Sequence, residues 1–278
     1  MELIRSEKPA NFKHLCNPGD LIAAMAAMKG YHQQTGRKVR VLQQLDTAAQ
    51  YYPGAVHGTT DENGVAVCMN KHIFDMIKPL VESQPYIDSM EVFDGQEVDI
   101  DLDVIRKKFF VNIPHGQIQA WVFLAYPDLA WDLSKDWITL PEKDIPIVSW
   151  IKDKIILNFT ERYRNGIIHY HFLKKYQKQL VFAGTEKEYL LFVNKWRLDI
   201  PRLEVKDFLE LAYAIKNCKF LLANQSMQYN LSYGCHSPHI IELCEFAANC
   251  PTFMYEKSFG FYHQVNLEYY CHRMMDEM

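Results

Sequence analysis

Apolar residues in this chain follow two rhythms. Short unbroken runs alternate with longer stretches in which apolar side chains recur every three or four positions. Unbroken runs of four to six suit strands buried on both faces, and the wider spacing suits helices with one face on a core. Their alternation predicts an α/β protein.

In the first half, the apolar patch over 12–16 is broken by Asn17-Pro18-Gly19-Asp20, which joins a strand to a helix over 21–34. Alanine and methionine favour that helix, and Thr35-Gly36 stops it. Strands are expected over 39–42, 65–69 and 89–93, and helices over 73–83 and 117–125. The acidic stretch 94–103 reads as a solvated loop or edge. In the second half, strands are expected over 154–159, 180–184, 220–223 and 240–243. Helices are expected over 169–177, 186–196, 205–217, 227–233 and 267–275. The helix over 205–217 places Phe208, Leu211, Ala212 and Ile215 on one face. Residues 139–149, with Pro141, Pro146 and mixed charge, read as a linker between domains 1–145 and 146–278.

Composition narrows the function classes. A length of 278 residues accommodates two domains, and a hydrophobic fraction of 49% excludes disorder as the main state. A net charge of −4 with 30 Lys+Arg excludes a broadly basic nucleic-acid binder. The first residues lack the apolar core of a signal peptide, and no run approaches the ~20 apolar residues of a membrane helix. A soluble cytoplasmic protein without an integral membrane segment is expected. Seven cysteines without a C-x-x-C read as buried, reduced thiols. The sequons at Asn158, Asn224 and Asn230 read as chance matches. Cys235, His236, His239, Cys244 and Cys250 match no zinc spacing, and His169 and His171 do not share a helix face, so no metal is expected.

The chemistry gathers after three strands of the second half. Thr160 to Asn165, Gly184-Thr185-Glu186 and Asn224-Gln225-Ser226 each follow an expected strand. In an open parallel sheet, ligands bind beyond the carboxyl ends of the strands. Asn224-Gln225-Ser226 opens a helix, where backbone N–H groups and the dipole favour an anion. Arg162 and Arg164 suit phosphate oxygens. A nucleoside diphosphate fits this combination. Each residue also has a blander use. Asn224 or Ser226 can cap a helix, Glu186 can complement a dipole, and the arginines can pair with Glu161 or solvent. In the first half, Asp20 is most simply a cap, and it is also placed to accept a proton from a hydroxyl. G-x-G-x-x-G and P-loop sequences are absent, which counts against a nicotinamide-dependent oxidoreductase or a P-loop enzyme.

Taken in order, these segments resemble the heptosyltransferase-like glycosyltransferases. That family carries a G-D-[VI] loop before a helix of small apolar residues, and Gly19-Asp20-Leu21-Ile22-Ala23-Ala24 is similar. Its second domain has a strand ending in a glycine that an acid soon follows, resembled by Phe182-Ala183-Gly184-Thr185-Glu186. An E-L-A-x-x-I helix and a D-[ST]-G turn follow, resembled by residues 207–215 and by Asn224-Gln225-Ser226. The resemblance covers most of 154–243 and the first forty residues.

The resemblance implies a GT-B fold, with two Rossmann-like domains facing a central cleft. It implies a nucleoside-diphosphate-sugar donor on the second domain, a glycan or other hydroxyl acceptor on the first, and inverting transfer without a metal or cofactor. Asp20 would be the general base. Gly19, Thr160, Arg162, Arg164, Gly184, Thr185, Glu186 and Asn224 to Ser226 would form the donor site, with Glu186 toward ribose hydroxyls. Asn224, Gln225 and Ser226 stand where the family has an acid, a hydroxyl and glycine. A non-catalytic descendant that binds a sugar nucleotide, a glycan or a protein is the alternative.

Overall fold

The computed structural model describes residues 8–49, 58–105, 117–143, 145–245, 247, 251 and 253–276. The chain divides into two compact units. Unit 1 comprises Met1–Thr139, Asp207–Leu209 and Ala248–Cys250, and unit 2 comprises Leu140–Lys206, Glu210–Ala247 and Pro251–Met278. Each is built on a parallel sheet.

Unit 1 contains β1 (Ala10–His14), β2 (Val39–Gln43), β3 (Ile87–Val92) and β4 (Ile100–Asp101), in the order β3-β2-β1-β4. Its first helix, α1 (Pro18–Thr35), carries proline in its opening turn and ends at Gly36, whose φ of 72° is the left-handed conformation glycine adopts freely. Every residue from Leu21 to Met28 is buried, so α1 is a core helix. Trp137 pins it by donating from Nε1 to the Ile22 carbonyl at 2.9 Å. Next come α2 (Lys71–Glu82), capped by Asn70, and α3 (Ile118–Ala125).

One expectation for unit 1 changes and another is made specific. Residues 65–69 do not join the sheet: Val67 and Ala66 form isolated bridges to Ala48 and Thr60. The reason is local. Asp61 Oδ1 accepts from the N–H groups of Asn63 and Val65, tying this stretch into its own turn. The acidic stretch 94–103 contains β4, an edge strand paired with β1. At an edge, acidic side chains can face water.

Unit 2 contains α4 (Pro146–Ile151), β5 (Ile155–Asn158), β6 (Leu180–Phe182), α5 (Glu186–Trp196), α6 (Phe208–Asn217), β7 (Phe220–Asn224), α7 (Met227–Gly234), β8 (His239–Glu242), β9 (Ser258–Phe261) and α8 (Gln264–Asp276). The strand order is β6-β5-β7-β8-β9, parallel throughout. The core joins Ile155, Leu157, Phe159, Tyr170, Phe182, Phe192, Trp196 and Leu222, with Phe159 and Phe192 stacked at 4.8 Å. Part of the expected linker is helical, because Pro146 starts α4 in the position proline favours. The helix expected from 169 is a 3-10 stretch, His171–Gln179. The short strand β9 had no counterpart in the reading of the sequence.

The free cysteines Cys16, Cys68, Cys218, Cys235 and Cys271 are buried while Cys244 is only half-buried, and burial pushes the Cys218 thiol up to about 12. Cys250 lies outside the described residues. The three sequon asparagines are buried. Among the described residues, no helix is long and apolar enough to cross a membrane.

Both sheets contain a point where the strand order reverses. In unit 1 it lies between β1 and β4, and in unit 2 between β5 and β7. Chains leaving neighbouring strands there turn to opposite sides, which opens a crevice at the carboxyl edge.

Candidate functional site

The reversal in unit 2 is lined by side chains that end buried strands. Asn158, the last residue of β5, is wholly buried and donates from Nδ2 to the Ala183 carbonyl at 2.6 Å. Its Oδ1 accepts from the Ser226 hydroxyl at 2.7 Å. Ser226 precedes α7 in the N-cap position, yet its side chain makes no cap bond to the helix. The first turn of α7 is therefore not closed by its own N-cap, and its dipole faces the carboxyl edge of the sheet.

Asn224 ends β7 and is wholly buried. Its Oδ1 accepts from Thr160 N–H at 3.2 Å, and its Nδ2 donates to the carbonyls of Thr160 at 3.2 Å and Arg162 at 2.6 Å. Gln225 is buried as well, and its Oε1 accepts from Cys244 N–H at 2.7 Å. The side chains of Asn224 and Gln225 thus hold protein backbone.

The arginines differ. The Arg164 Nε lies 3.2 Å from Glu242 Oε1, and its guanidinium sits over the Phe159 ring at 4.8 Å. Glu242 ends β8 with no exposure, and it also accepts from Asn165 N–H and the Tyr170 hydroxyl. Burial, with the Glu242 charge next, pushes the Tyr170 hydroxyl well up. Arg162 is half-buried, with its guanidinium 5.8 Å from the Tyr163 ring.

At the neighbouring loop, Gly184 is needed for close approach: a Cβ there would lie 2.7 Å from the Phe182 ring. Thr185 caps α5 in a capping box with Glu188, each side chain bonded to the other's backbone N–H. Glu186 is exposed in the first turn of α5, while its neighbour Lys187 pairs with Glu161 at 2.9 Å.

In unit 1, Gly19 is buried and Asp20 is half-exposed, both in the first turn of α1. Asn17 Nδ2 lies 3.4 Å from Asp20 Oδ2. At the ends of β1 and β2, His14 Nδ1 and Gln43 Oε1 are 2.8 Å apart, and Gln43 Nε2 donates to the Gln44 carbonyl at 2.9 Å.

Of the candidate residues, hydrogen bonds tie together Thr160, Arg162, Asn224 and, through its N–H to the Asn224 carbonyl, Ser226. Gly184 and Thr185 lie in the loop after β6 and Glu186 opens α5, and Gly19 and Asp20 belong to unit 1. Asn158, Glu242, Tyr170 and Glu188 join the site without having stood among the candidates. Glu242 had a signal: a lone acid closing an unbroken apolar strand needs internal partners.

No family model matches the sequence, and no curated protein matches it. Solved structures do. The glycosyl transferase family 9 structure from Veillonella parvula is 11% identical with a TM-score of 0.55, covering 99% of this chain and 91% of that one. The E. coli heptosyltransferase WaaC, solved with ADP-2-deoxy-2-fluoro heptose, is 9% identical with a TM-score of 0.53, covering 98% and 100%. The E. coli ADP-heptose lps heptosyltransferase II is 11% identical with a TM-score of 0.50, covering 97% and 99%. The chain has a heptosyltransferase-like GT-B fold. At these identities the likeness speaks for the fold. Whether the site works in the same way depends on this chain's own residues.

Proposed function

We propose that this GT-B protein is a glycosyltransferase that moves a sugar from a nucleoside-diphosphate donor to an acceptor hydroxyl, with inversion. One observation carries the reading. At the strand-order reversal of unit 2, the N-cap side chain of α7 bonds the Asn158 and Gln228 side chains and no N–H of the helix, so the first turn carries no side-chain cap and can receive an anion. The diphosphate binds there, flanked by Thr160 and Arg162, and Glu186 reaches ribose hydroxyls. Asp20 takes the proton of the acceptor hydroxyl as the oxygen attacks the anomeric carbon. The bond from that carbon to the diphosphate breaks, and its electron pair leaves with the nucleotide. The α7 dipole and Arg162 stabilise the leaving charge without a metal ion. The solved heptosyltransferases of this fold support a nucleotide-sugar donor.

The test is a thermal-shift panel of nucleotide sugars, followed by assay of donor hydrolysis. The true donor at a hundred times its Kd adds about 2.7 kcal/mol of stability. Stabilisation with hydrolysis supports the enzyme, and no shift with any nucleotide sugar overturns it. A second reading, a binding protein without turnover, is favoured by the internal engagement of Asn224, Gln225 and Arg164. Stabilisation without hydrolysis or transfer would select it.

A further inference from the structure

Tyr163 adopts the left-handed conformation, with φ at 53°. A bulky residue stays there only where its surroundings over-determine the backbone. Its neighbours on both sides are anchored. Before it, Asn224 bonds the Thr160 N–H and the carbonyls of Thr160 and Arg162. After it, Glu242 accepts from Arg164 Nε, Asn165 N–H and the Tyr170 hydroxyl. Asn224 and Glu242 are register partners on β7 and β8, and both are wholly buried. Two facing side chains on adjacent strands therefore grip the two ends of one loop.

We propose that Glu242 is a positioning residue for the ligand edge of unit 2. With Asn224 it clamps residues 160–165, and it makes Arg164 part of that clamp rather than a ligand contact. The Glu242 carboxylate holds the place beside Arg164 that a ligand anion would need. The rings of Phe159 and Tyr170, 4.8 and 5.7 Å from the guanidinium carbon, flank the same group. The inference rests on the nucleotide-sugar reading only for what the edge binds.

Limited trypsin digestion reads the loop directly, because cleavage follows Arg162 and Arg164. Glu242→Gln keeps the side-chain shape but replaces one acceptor oxygen with a donor. Cleavage in the loop is expected to quicken about tenfold, the effect of losing one charged hydrogen bond. Calorimetry on the same variant is expected to show weaker binding of ADP and UDP, with AMP and UMP weakened by the same factor. Tyr170→Phe removes one donor more gently and gives the same pattern at smaller amplitude, which keeps the test open if Glu242→Gln folds poorly. Unchanged cleavage in both variants overturns the clamp, as does a lower Tm without faster loop cleavage. Tighter ADP or UDP binding by Glu242→Gln also overturns it, because Arg164 would then be a masked phosphate ligand. If the wild type binds none of these nucleotides, the donor reading fails and the cleavage rates alone decide the clamp.

Discussion

Unit 1 and unit 2 each open a strand-order reversal at the carboxyl edge of a parallel sheet, but they line it differently. In unit 1, the first turn of α1 presents Asp20, a half-exposed carboxylate near Asn17. Unit 1 also buries polar side chains at its strand ends, His14 and Gln43, but in unit 2 three strands end this way, in Asn158, Asn224 and Glu242. They spend their hydrogen bonds on the surrounding loops. In the proposed reading the same topology serves two tasks. One edge offers Asp20 as the base for the acceptor hydroxyl. The other uses side chains to shape backbone, which suits a site whose donors are N–H groups and a helix dipole.

The largest expected effect tests the unit 1 half of this contrast. Asp20→Asn should lower turnover by roughly 10²–10⁴-fold in a transfer assay, the worth of a general base, while donor affinity measured by calorimetry holds. Full activity in that variant would remove the proton-exchanging role and with it the contrast. Next is Glu242→Ala, which leaves Arg164 and Tyr170 without their buried acceptor. It should cost about 3–5 kcal/mol in urea denaturation. A loss under 1 kcal/mol would mean that the unit 2 edge is not built on buried side chains.

The opposite end of β8 gives a third test. His239 opens the strand Glu242 closes. It is wholly buried, with Nδ1 near the hydroxyls of Ser232 and Tyr255 and Nε2 near that of Ser258. Burial first, and His236 as a further cause, push it down to about 3, and the Ser237 backbone opposes this. Below the ordinary value of 6.5, the unfolded chain takes up a proton that the native site refuses. Stability should be full above that pH and fall by about 1.4 kcal/mol per unit as pH drops toward 3. His239→Gln should flatten this slope in denaturation curves recorded across the window. The smallest effect is at Thr185→Ala, where loss of the α5 cap should cost about 1 kcal/mol by the same denaturation assay.

Much of the architecture was legible in the sequence because it follows from local rhythm. The helix over 186–196 appears as read, and β5, β7 and β8 fall within a residue or two of their apolar runs. The run over 65–69 misled because its apolar content suits a strand, whereas the Asp61 turn dictates its pairing. β9 escaped because Ser258-Phe259-Gly260-Phe261 is short and has a glycine that disfavours strands in isolation. It gains its place by pairing with β8. Around the site, the polar loops after β5, β6 and β7 could be read from the chain, but their individual roles could not. Thr185 proves to be a helix cap, and Ser226 bonds Asn158 instead of capping. The Thr185 cap is closed by Glu188 three residues on, whereas the partner of Ser226 lies 68 residues away in sequence.

The sequence by itself determined the alternation of strands and helices, the placing of polar residues at strand ends and the unusual Asn224-Gln225-Ser226 turn, because these depend on residue type and spacing. Only the tertiary structure decided that β5 and β7 lie side by side, that Asn224 faces Glu242 and that Arg164 meets a carboxylate 78 residues further along. Hydrogen bonds and ion pairs act over a few ångströms. Which groups come within that range is set by how the strands order themselves in the sheet, a property of the whole fold that no local stretch carries.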